Sequence, residues 1–266
     1  MSALDVHIEG IGLWAPGWPD WDSACVGLRR GEAPRADAPA RPAPGLLPPA
    51  ERRRAPDPVL IACEVAAQAC DAAGRDPAAL ASVFTSTHGD TAITDYMCET
   101  LARAPHELSP IRFHNSVHNA PAGYWTIAAH CHAASTSISG YTASFAGGLL
   151  EAAAQALSAD EPVLLVAYDI VSQGALAEVV PSAPAFGIAL VLAPWHGDAG
   201  LPRLQLALEA EATPTRIALP SAFATIANGN PMAASALPFA TALVSDVASS
   251  LVLPLGAREG LKVTFS

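Results

Sequence analysis

The stretch Gly140-Tyr141-Thr142-Ala143-Ser144-Phe145-Ala146-Gly147-Gly148 carries most of the information about the fold of this chain. It follows a short alternating segment, residues 135–139, which predicts a β-strand. It opens an apolar run rich in Ala and Gly, residues 143–157, which predicts a buried helix. A residue at the start of such a helix faces unpaired backbone N–H groups and the positive end of the helix dipole. Because this environment favours an anion, Ser144 occupies a position suited to a nucleophile.

The rest of the chain alternates between predicted strands and helices, which indicates an α/β sheet. Residues 33–58 are rich in Pro, Ala and Arg and predict an exposed loop. Further strands are predicted at residues 5–14, 83–87, 163–168, 187–192, 201–211 and 261–265. Further helices are predicted from Asp20 or Asp22 to Gly31 and at residues 59–73, 91–104, 117–132 and 238–253.

Composition limits the classes of partner and compartment. The chain has 266 residues and a formal net charge of −11, which argues against nucleic acid and against an anionic membrane surface. The longest apolar stretch, residues 234–255, is interrupted by Pro238, Asp246 and Pro254, so no membrane span is expected. Five cysteines without CxxC spacing, and a beginning without a signal-peptide pattern, predict reduced thiols and a cytoplasmic protein.

The stretch that opens the helix resembles the T-A-C-x-x-G motif of condensing enzymes of the thiolase fold, in the form Thr142-Ala143-Ser144-Phe145-Ala146-Gly147. Other segments agree in order and spacing with the N-terminal half of a β-ketoacyl synthase. They are residues 8–17 (first strand and turn), 85–89 (strand and glycine-containing turn), 119–123 (Asn-rich segment), 163–169 (core strand) and 186–193 (closing strand). The resemblance covers residues 5–195.

This resemblance implies half of a thiolase-like fold. The expected architecture is a mixed five-stranded sheet with helices on both faces and a central buried helix that starts near Ser144. Residues 1–195 would form the ketosynthase-like N-terminal half. Residues 196–266 would form a short C-terminal extension that packs on the same domain or on a partner.

Two departures from the family pattern bear on activity. Ser144 stands where the family keeps its nucleophilic cysteine, and a serine hydroxyl needs an adjacent base to react. The family's catalytic histidines lie in HGT and NFGFGG-like motifs of a C-terminal half, whereas after position 195 this chain has only His196. Condensation by this chain alone is therefore not expected, and Ser144 is interpreted as the relic of an inactivated site. No glycine-rich phosphate loop is present, so no cofactor is predicted.

The same resemblance extends to the chain-length factor, an inactive ketosynthase homologue that pairs with an active ketosynthase in type II polyketide systems. Short proteins of this kind are similar to partners in aryl polyene pigment pathways. The chain is thus predicted to be a non-catalytic subunit that forms a heterodimer with an active ketosynthase and shapes its acyl tunnel in polyketide, aryl polyene or fatty-acid-like biosynthesis. An acidic acyl carrier protein would be repelled by the charge of −11, so it would dock mainly on the ketosynthase subunit.

The resemblance also assigns candidate interface residues. Residues 135–139 would be the dimer strand, which adds edge to edge across the interface. The candidate tunnel or interface residues are Phe113, Asn119, Tyr124, Trp125, Ser135, Ser137 and Phe145. The aromatic residues among them have an equally good interpretation as filling for this chain's own core.

Other interpretations stay open at this stage. Ser144 could act as the nucleophile of an acyltransferase or thioesterase, with His88, His114 or His118 as its base. The sequence also leaves a homodimer open. The histidines at 114, 118, 130 and 132 lack a standard zinc spacing, so no metal site is predicted.

Overall fold

The computed structural model describes residues 3–197, 200–244 and 249–266. The strands are β1 (Leu4–Trp14), β2 (Ala81–Thr85), β3 (Ser135–Ile138), β4 (Val163–Asp169), β5 (Phe186–Pro194), β6 (Arg203–Ala210), β7 (Ser250–Pro254) and β8 (Glu259–Phe265). The helices are α1 (Trp21–Arg30), α2 (Pro49–Arg54), α3 (Asp57–Ala73), α4 (Thr91–Arg103), α5 (Pro110–Asn115), α6 (Ala120–Ala128), α7 (Ser144–Ala159), α8 (Leu176–Val179), α9 (Ser221–Gly229) and α10 (Pro231–Val244). Short 3-10 turns occupy Pro105–Glu107 and Tyr141–Ala143.

Within these residues the strands form one mixed eight-stranded sheet in the order β3-β2-β4-β5-β1-β6-β8-β7. The pairs β3–β2 and β2–β4 are parallel, and the remaining pairs are antiparallel. The predicted α/β class is confirmed, but the predicted count of five strands is wrong. The first five strands in this order lie within residues 1–195, and β6, β8 and β7 continue the same sheet from β1.

Helices cover both faces of the sheet, as the sequence predicted. On one face α7 and α10 bury an apolar cluster, in which Ala152, Ala153 and Ala156 of α7 have no exposed surface. Their small side chains let the helix axis lie close to the strands. On the other face α3 packs with α6 over the central strands. The central buried helix begins at Ser144, as expected.

Several helices differ from those predicted from the sequence. Residues 33–58 are not a continuous loop, because α2 forms within them with a Pro at its first position, where the missing N–H costs nothing. The helix predicted over residues 117–132 is shorter and is preceded by a separate helix, α5, whose N-terminus is capped by the Ser109 hydroxyl. The hydroxyl accepts a hydrogen bond from Arg112 N at 3.4 Å.

The helix predicted over residues 238–253 is also wrong. The segment contains the second half of α10 and then β7, while residues 245–248 of the predicted helix lie outside the described residues. Apolar residues occur on both sides of residues 245–248, so composition could not reveal where the helix ends and the strand begins. Pro238 lies inside α10 rather than at its start, and α9 was not predicted at all.

The two edges of the sheet differ. The outer edge of β7 is covered by the segment before α9: Thr215 N donates to Val252 O at 2.9 Å, and Val252 N donates to Thr215 Oγ1 at 2.9 Å. At the opposite edge, β3 pairs with β2 alone among the described residues. An unpaired strand edge offers backbone N–H and C=O groups to another chain.

None of the helices in the described part of the chain combines the length and the apolar character that crossing a bilayer requires.

Two adjacent glycines of α7 show where this helix approaches the sheet most closely. A Cβ atom at Gly148 would lie 2.8 Å from Thr85 Cγ2 and 3.0 Å from Leu165 Cδ1, both below ordinary van der Waals distance. A Cβ atom at Gly147 would meet no heavy atom within 4 Å. The close contact with the sheet is therefore at Gly148 and not at Gly147.

We predict opposite effects for Gly148→Ala and Gly147→Ala. Both changes gain the same helix propensity, on the order of 0.5–1 kcal/mol, so the difference between them isolates packing. Gly148→Ala should be less stable than Gly147→Ala by about 1–3 kcal/mol in urea denaturation, because the methyl group overfills the contact with β2 and β4. Equal stability of the two variants would contradict the observed helix position.

Candidate functional site

Ser144 is the first residue of α7 and is only 1% exposed. Its hydroxyl donates a hydrogen bond to Tyr141 O at 2.7 Å and accepts one from Gly140 N at 3.0 Å. Its own carbonyl oxygen accepts a hydrogen bond from Thr85 Oγ1 at 3.1 Å. The hydroxyl is thus held between two backbone groups of the turn that precedes the helix.

The three histidines considered as a base for Ser144 lie elsewhere. The His88 ring packs edge-on against Tyr141, with ring centroids 5.5 Å apart. His118 Nε2 lies 3.4 Å from Ser86 O, and His114 is exposed on α5. Within the described residues both hydrogen bonds of the Ser144 hydroxyl go to backbone groups, so no histidine is in place to take its proton.

An apolar groove of about 660 Å³ lies between α2, α5 and α6. Two of the predicted tunnel residues, Asn119 and Tyr124, line the groove. A third, Phe113, is exposed on α5 but is not among the lining residues. Further apolar lining includes Ile111, Val117 and Ile127, and the polar lining includes Arg54 and His114. The groove is therefore a mainly apolar cleft that opens on the surface.

A second groove, of about 530 Å³, lies between α6 and β3 and is mostly polar. Two further predicted residues, Ser135 and Ser137, line it, and Asn119 borders both grooves. Side chains of β3 are held by hydrogen bonds from neighbouring elements. Ser82 Oγ of β2 donates to Ser135 Oγ at 3.0 Å, and Gln155 Nε2 of α7 donates to Thr136 Oγ1 at 3.1 Å. The predicted interface residues at positions 119, 124, 135 and 137 thus lie along one continuous surface.

For two predicted residues the structure requires a correction. Trp125 has no exposed surface and belongs to the core between α3 and the sheet. Phe145 is 1% exposed and packs against Phe239 of α10, with ring centroids 5.4 Å apart. Both rings fill this chain's own core, which was the alternative interpretation of these aromatics, and neither lines either of the two grooves.

A buried carboxylate, Asp169, is an important residue that the sequence analysis did not single out. It ends β4, where its Oδ1 accepts hydrogen bonds from Ser86 Oγ and Thr87 N, both at 2.8 Å. Its Oδ2 accepts a hydrogen bond from Met232 N, in the first turn of α10, at 3.0 Å. The one signal in the sequence is an Asp directly after a wholly apolar strand, since a buried carboxylate must be satisfied by donors.

The environment of Asp169 acts on its pKa in two directions. Burial raises the pKa of the carboxyl group above 3.8, while the hydrogen bonds from Thr87, Ser86 and Met232 lower it; the result is a raised pKa. Next to it, Asn230 caps α10: its Oδ1 accepts from Ala233 N at 3.0 Å and its Nδ2 donates to Pro184 O at 2.8 Å. The two side chains together tie the C-terminal extension to the loops that end β2 and β4.

The mixed sheet, the buried central helix and the serine at its first position define a thiolase-like ketosynthase fold. The sequence profile of the family described as "Beta-ketoacyl synthase, N-terminal domain" matches residues 18–251. The chain therefore belongs to the β-ketoacyl synthase N-terminal-domain family. The match continues beyond residue 195, so the family resemblance covers more of the chain than residues 5–195.

Several solved structures share this fold. A ketosynthase (ApeO) in complex with its chain length factor (ApeC) from Xenorhabdus doucetiae matches with a TM-score of 0.73 and 21% identity, over 98% of this chain and 99% of that chain. The AntDE:AntF complex, a type II PKS acyl-carrier protein with its ketosynthase bound to the hexaketide, matches with a TM-score of 0.71 and 11% identity, over 99% of both chains. The ishigamide ketosynthase/chain length factor matches with a TM-score of 0.61 and 15% identity, over 79% of this chain and 64% of that chain. No curated protein matches the sequence.

The raised pKa of Asp169 leads to a signed pH prediction. The folded protein keeps the carboxyl proton to a higher pH than the unfolded chain does, so this group lowers the free energy of unfolding as pH rises from about 4 through the folded-state pKa. Asp169→Asn cannot ionise. The stability of the variant relative to the wild type should therefore increase with pH over this interval in urea denaturation. Parallel profiles for the two proteins would contradict a raised pKa.

Proposed function

We propose that this chain is a non-catalytic subunit of the chain-length-factor type, which pairs with an active β-ketoacyl synthase and shapes its acyl tunnel. The pathway would be polyketide biosynthesis, including aryl polyenes, or a related fatty-acid-like synthesis. The observation that carries the proposal is the state of Ser144: at the family's nucleophile position there is a buried hydroxyl bonded to two backbone groups.

This arrangement is poorly suited to nucleophilic attack. A serine becomes reactive when a neighbouring base accepts its proton, and here the proton points to the carbonyl oxygen of Tyr141. A backbone carbonyl is not a base at neutral pH. Turning the hydroxyl toward a substrate would also leave Gly140 N without its acceptor. The turn thus stabilises a resting hydroxyl and not an attacking one.

The surface around β3 supports the pairing part of the proposal. The outer edge of β3 is unpaired within the described residues, whereas the opposite edge of the sheet is covered. Beside it, large apolar side chains are exposed on α5, α6 and the segment between them: Ile111 is 74% and Ile127 is 72% exposed, and Phe113 and Val117 are more than half exposed. Contiguous exposed apolar surface next to an open strand is typical of a subunit interface.

The apolar groove supports the tunnel part of the proposal. Its volume of about 660 Å³ lies in the range of small-molecule sites, on the order of 300–1,000 Å³. A partner seated against α5 and α6 would close the groove and turn it into a channel, with Tyr124 and Ile127 as walls. The net charge of −11 opposes close approach of an acidic acyl carrier protein, so the carrier would dock mainly on the ketosynthase subunit.

The central experiment is reconstitution with a candidate ketosynthase subunit. Co-expression and size-exclusion chromatography should give a one-to-one complex, and elongation on a carrier protein should be lost when this chain is omitted. After incubation with a reactive acyl thioester, intact mass spectrometry should find the acyl group on the ketosynthase subunit and none on this chain.

Two results would overturn the proposal. If the chain elutes alone and the ketosynthase elongates without it, the partner role fails. If the acyl group is instead found on Ser144 by peptide mapping, the chain is an acyltransferase or thioesterase that uses this hydroxyl.

The interface is tested by Ile127→Glu, with Leu208→Glu as the matched control. Both side chains are exposed, so both variants should fold with nearly unchanged melting temperatures. Leu208 lies on β6, five strand positions from β3 and thus roughly 24 Å away. Ile127→Glu should abolish co-elution with the ketosynthase because it buries a charge in the interface, and Leu208→Glu should co-elute normally. Co-elution of both variants would exclude this surface.

A further inference from the structure

Tyr141 combines two properties that are rarely found together. Its φ is +55°, in the left-handed region that bulky side chains avoid, and its side chain is 62% exposed although it is a large aromatic. Such a conformation costs free energy and persists only where the surroundings impose it. Residues held in this way concentrate at functional positions.

The surroundings that impose this conformation include the Ser144 hydroxyl. It accepts a hydrogen bond from the N–H of Gly140 and donates one to the carbonyl oxygen of Tyr141. The hydroxyl therefore bridges the backbone of these two consecutive residues. Ala143 N donates to Gly140 O at 3.0 Å and closes the same turn. The His88 ring then supports one edge of the tyrosine ring at 5.5 Å. The side chain is thereby held outward in a defined direction.

Tyr141 lies next to the unpaired edge of the sheet. Only Ser139 and Gly140 separate it from the end of β3. Ser139 lines the polar groove along β3, and its hydroxyl is fixed by donation to Thr87 O at 3.0 Å. The aromatic ring therefore stands at one end of the surface that the proposed ketosynthase partner would cover.

We propose that Ser144 is a positioning residue that holds Tyr141 as an anchor inserted into the partner ketosynthase subunit. This inference rests on the proposed function above. Tyrosine is enriched among the residues that dominate binding energy, because it offers a large apolar surface with a polar end. The occupant is a ketosynthase surface with an apolar recess for the ring and an acceptor for the phenol.

The proposal also gives a physical reason for a serine at this position. Holding the turn between Gly140 and Tyr141 requires one side-chain group that both donates and accepts a hydrogen bond at short range. The two hydrogen bonds of the Ser144 hydroxyl are 2.7 Å and 3.0 Å long. A thiol donates weakly and its larger sulfur requires longer contacts. With a hydroxyl in place of a thiol, residue 144 loses the role of a nucleophile and gains the role of holding the turn.

Tyr141→Gly separates a binding role from a folding role. Glycine adopts a positive φ without steric cost, so the melting temperature of the isolated chain should be unchanged or higher by about 2–4 °C. The Kd for the separately purified ketosynthase should nevertheless increase tenfold or more in isothermal titration calorimetry. Leu208→Ala, which removes an exposed apolar side chain from β6, should change neither quantity appreciably.

A double-mutant cycle tests the link between the two residues. Ser144→Ala alone should increase the Kd, because the turn loses the group that holds the ring in place. In the Tyr141→Gly background the same change should have little further effect, since no ring remains to be positioned. Additive effects would show that Ser144 acts independently of Tyr141 and would overturn its positioning role.

The outcomes distinguish this inference from the proposed function. If the wild-type chain pairs with the ketosynthase and Tyr141→Gly binds within twofold of it, the anchor role is wrong and the partner role stands. If Tyr141→Gly loses both stability and binding, the side chain serves the fold, and the anchor role is again wrong. If the wild-type chain does not pair at all, the partner role fails, and the anchor role fails with it.

Discussion

The close approach of α7 to the sheet is the constraint on which the rest of the structure depends. Small residues along this helix, with Gly148 in contact with Thr85 and Leu165, allow it to lie directly on the parallel strands. Because one face of the helix is buried in the core, its first turn cannot shift without opening that core. The position of Ser144, and with it the turn from Gly140 to Ala143, follows from this packing. The surface beside β3 is therefore attached directly to a helix that is packed into the core.

A second constraint connects the C-terminal extension to that surface. Asp169 accepts hydrogen bonds from the loop after β2 and from the first turn of α10. The same loop holds Ser139 through the Thr87 carbonyl and contacts His118 through the Ser86 carbonyl. Polar groups in a buried environment restrict one another to a single arrangement when all are satisfied. The extension thus contributes, through the first turn of α10, to the geometry of the candidate site.

The sequence predicts the parts of this fold that are governed by local patterns. Strands β1, β3 and β4 and helices α3 and α7 follow from alternation, apolar runs and a glycine after the helix end. The eight-stranded sheet could not be predicted, because strand pairing between β1 and β6 depends on residues almost 200 positions apart. The burial of Trp125 and Phe145 depends on helix packing, and the positive φ of Tyr141 depends on a hydroxyl three residues later. None of these leaves a local signature. The start of the central helix at Ser144 could be predicted, since strand, turn and helix there are consecutive in the chain.

The two edges of the sheet differ in whether their backbone groups are already hydrogen-bonded, and this difference affects how many subunits could assemble by strand addition. A sheet with two open edges can add a neighbour on each side, and repetition of that contact leads to fibres without a defined end. Here the segment around Thr215 occupies the backbone groups of Val252, so growth from β7 is blocked. Among the described residues this leaves the outer edge of β3 without a neighbouring strand, and strand addition at one edge ends once one neighbour has joined. If subunits pair through β3, as proposed, the covered edge at β7 would keep edge-to-edge assembly at a closed pair.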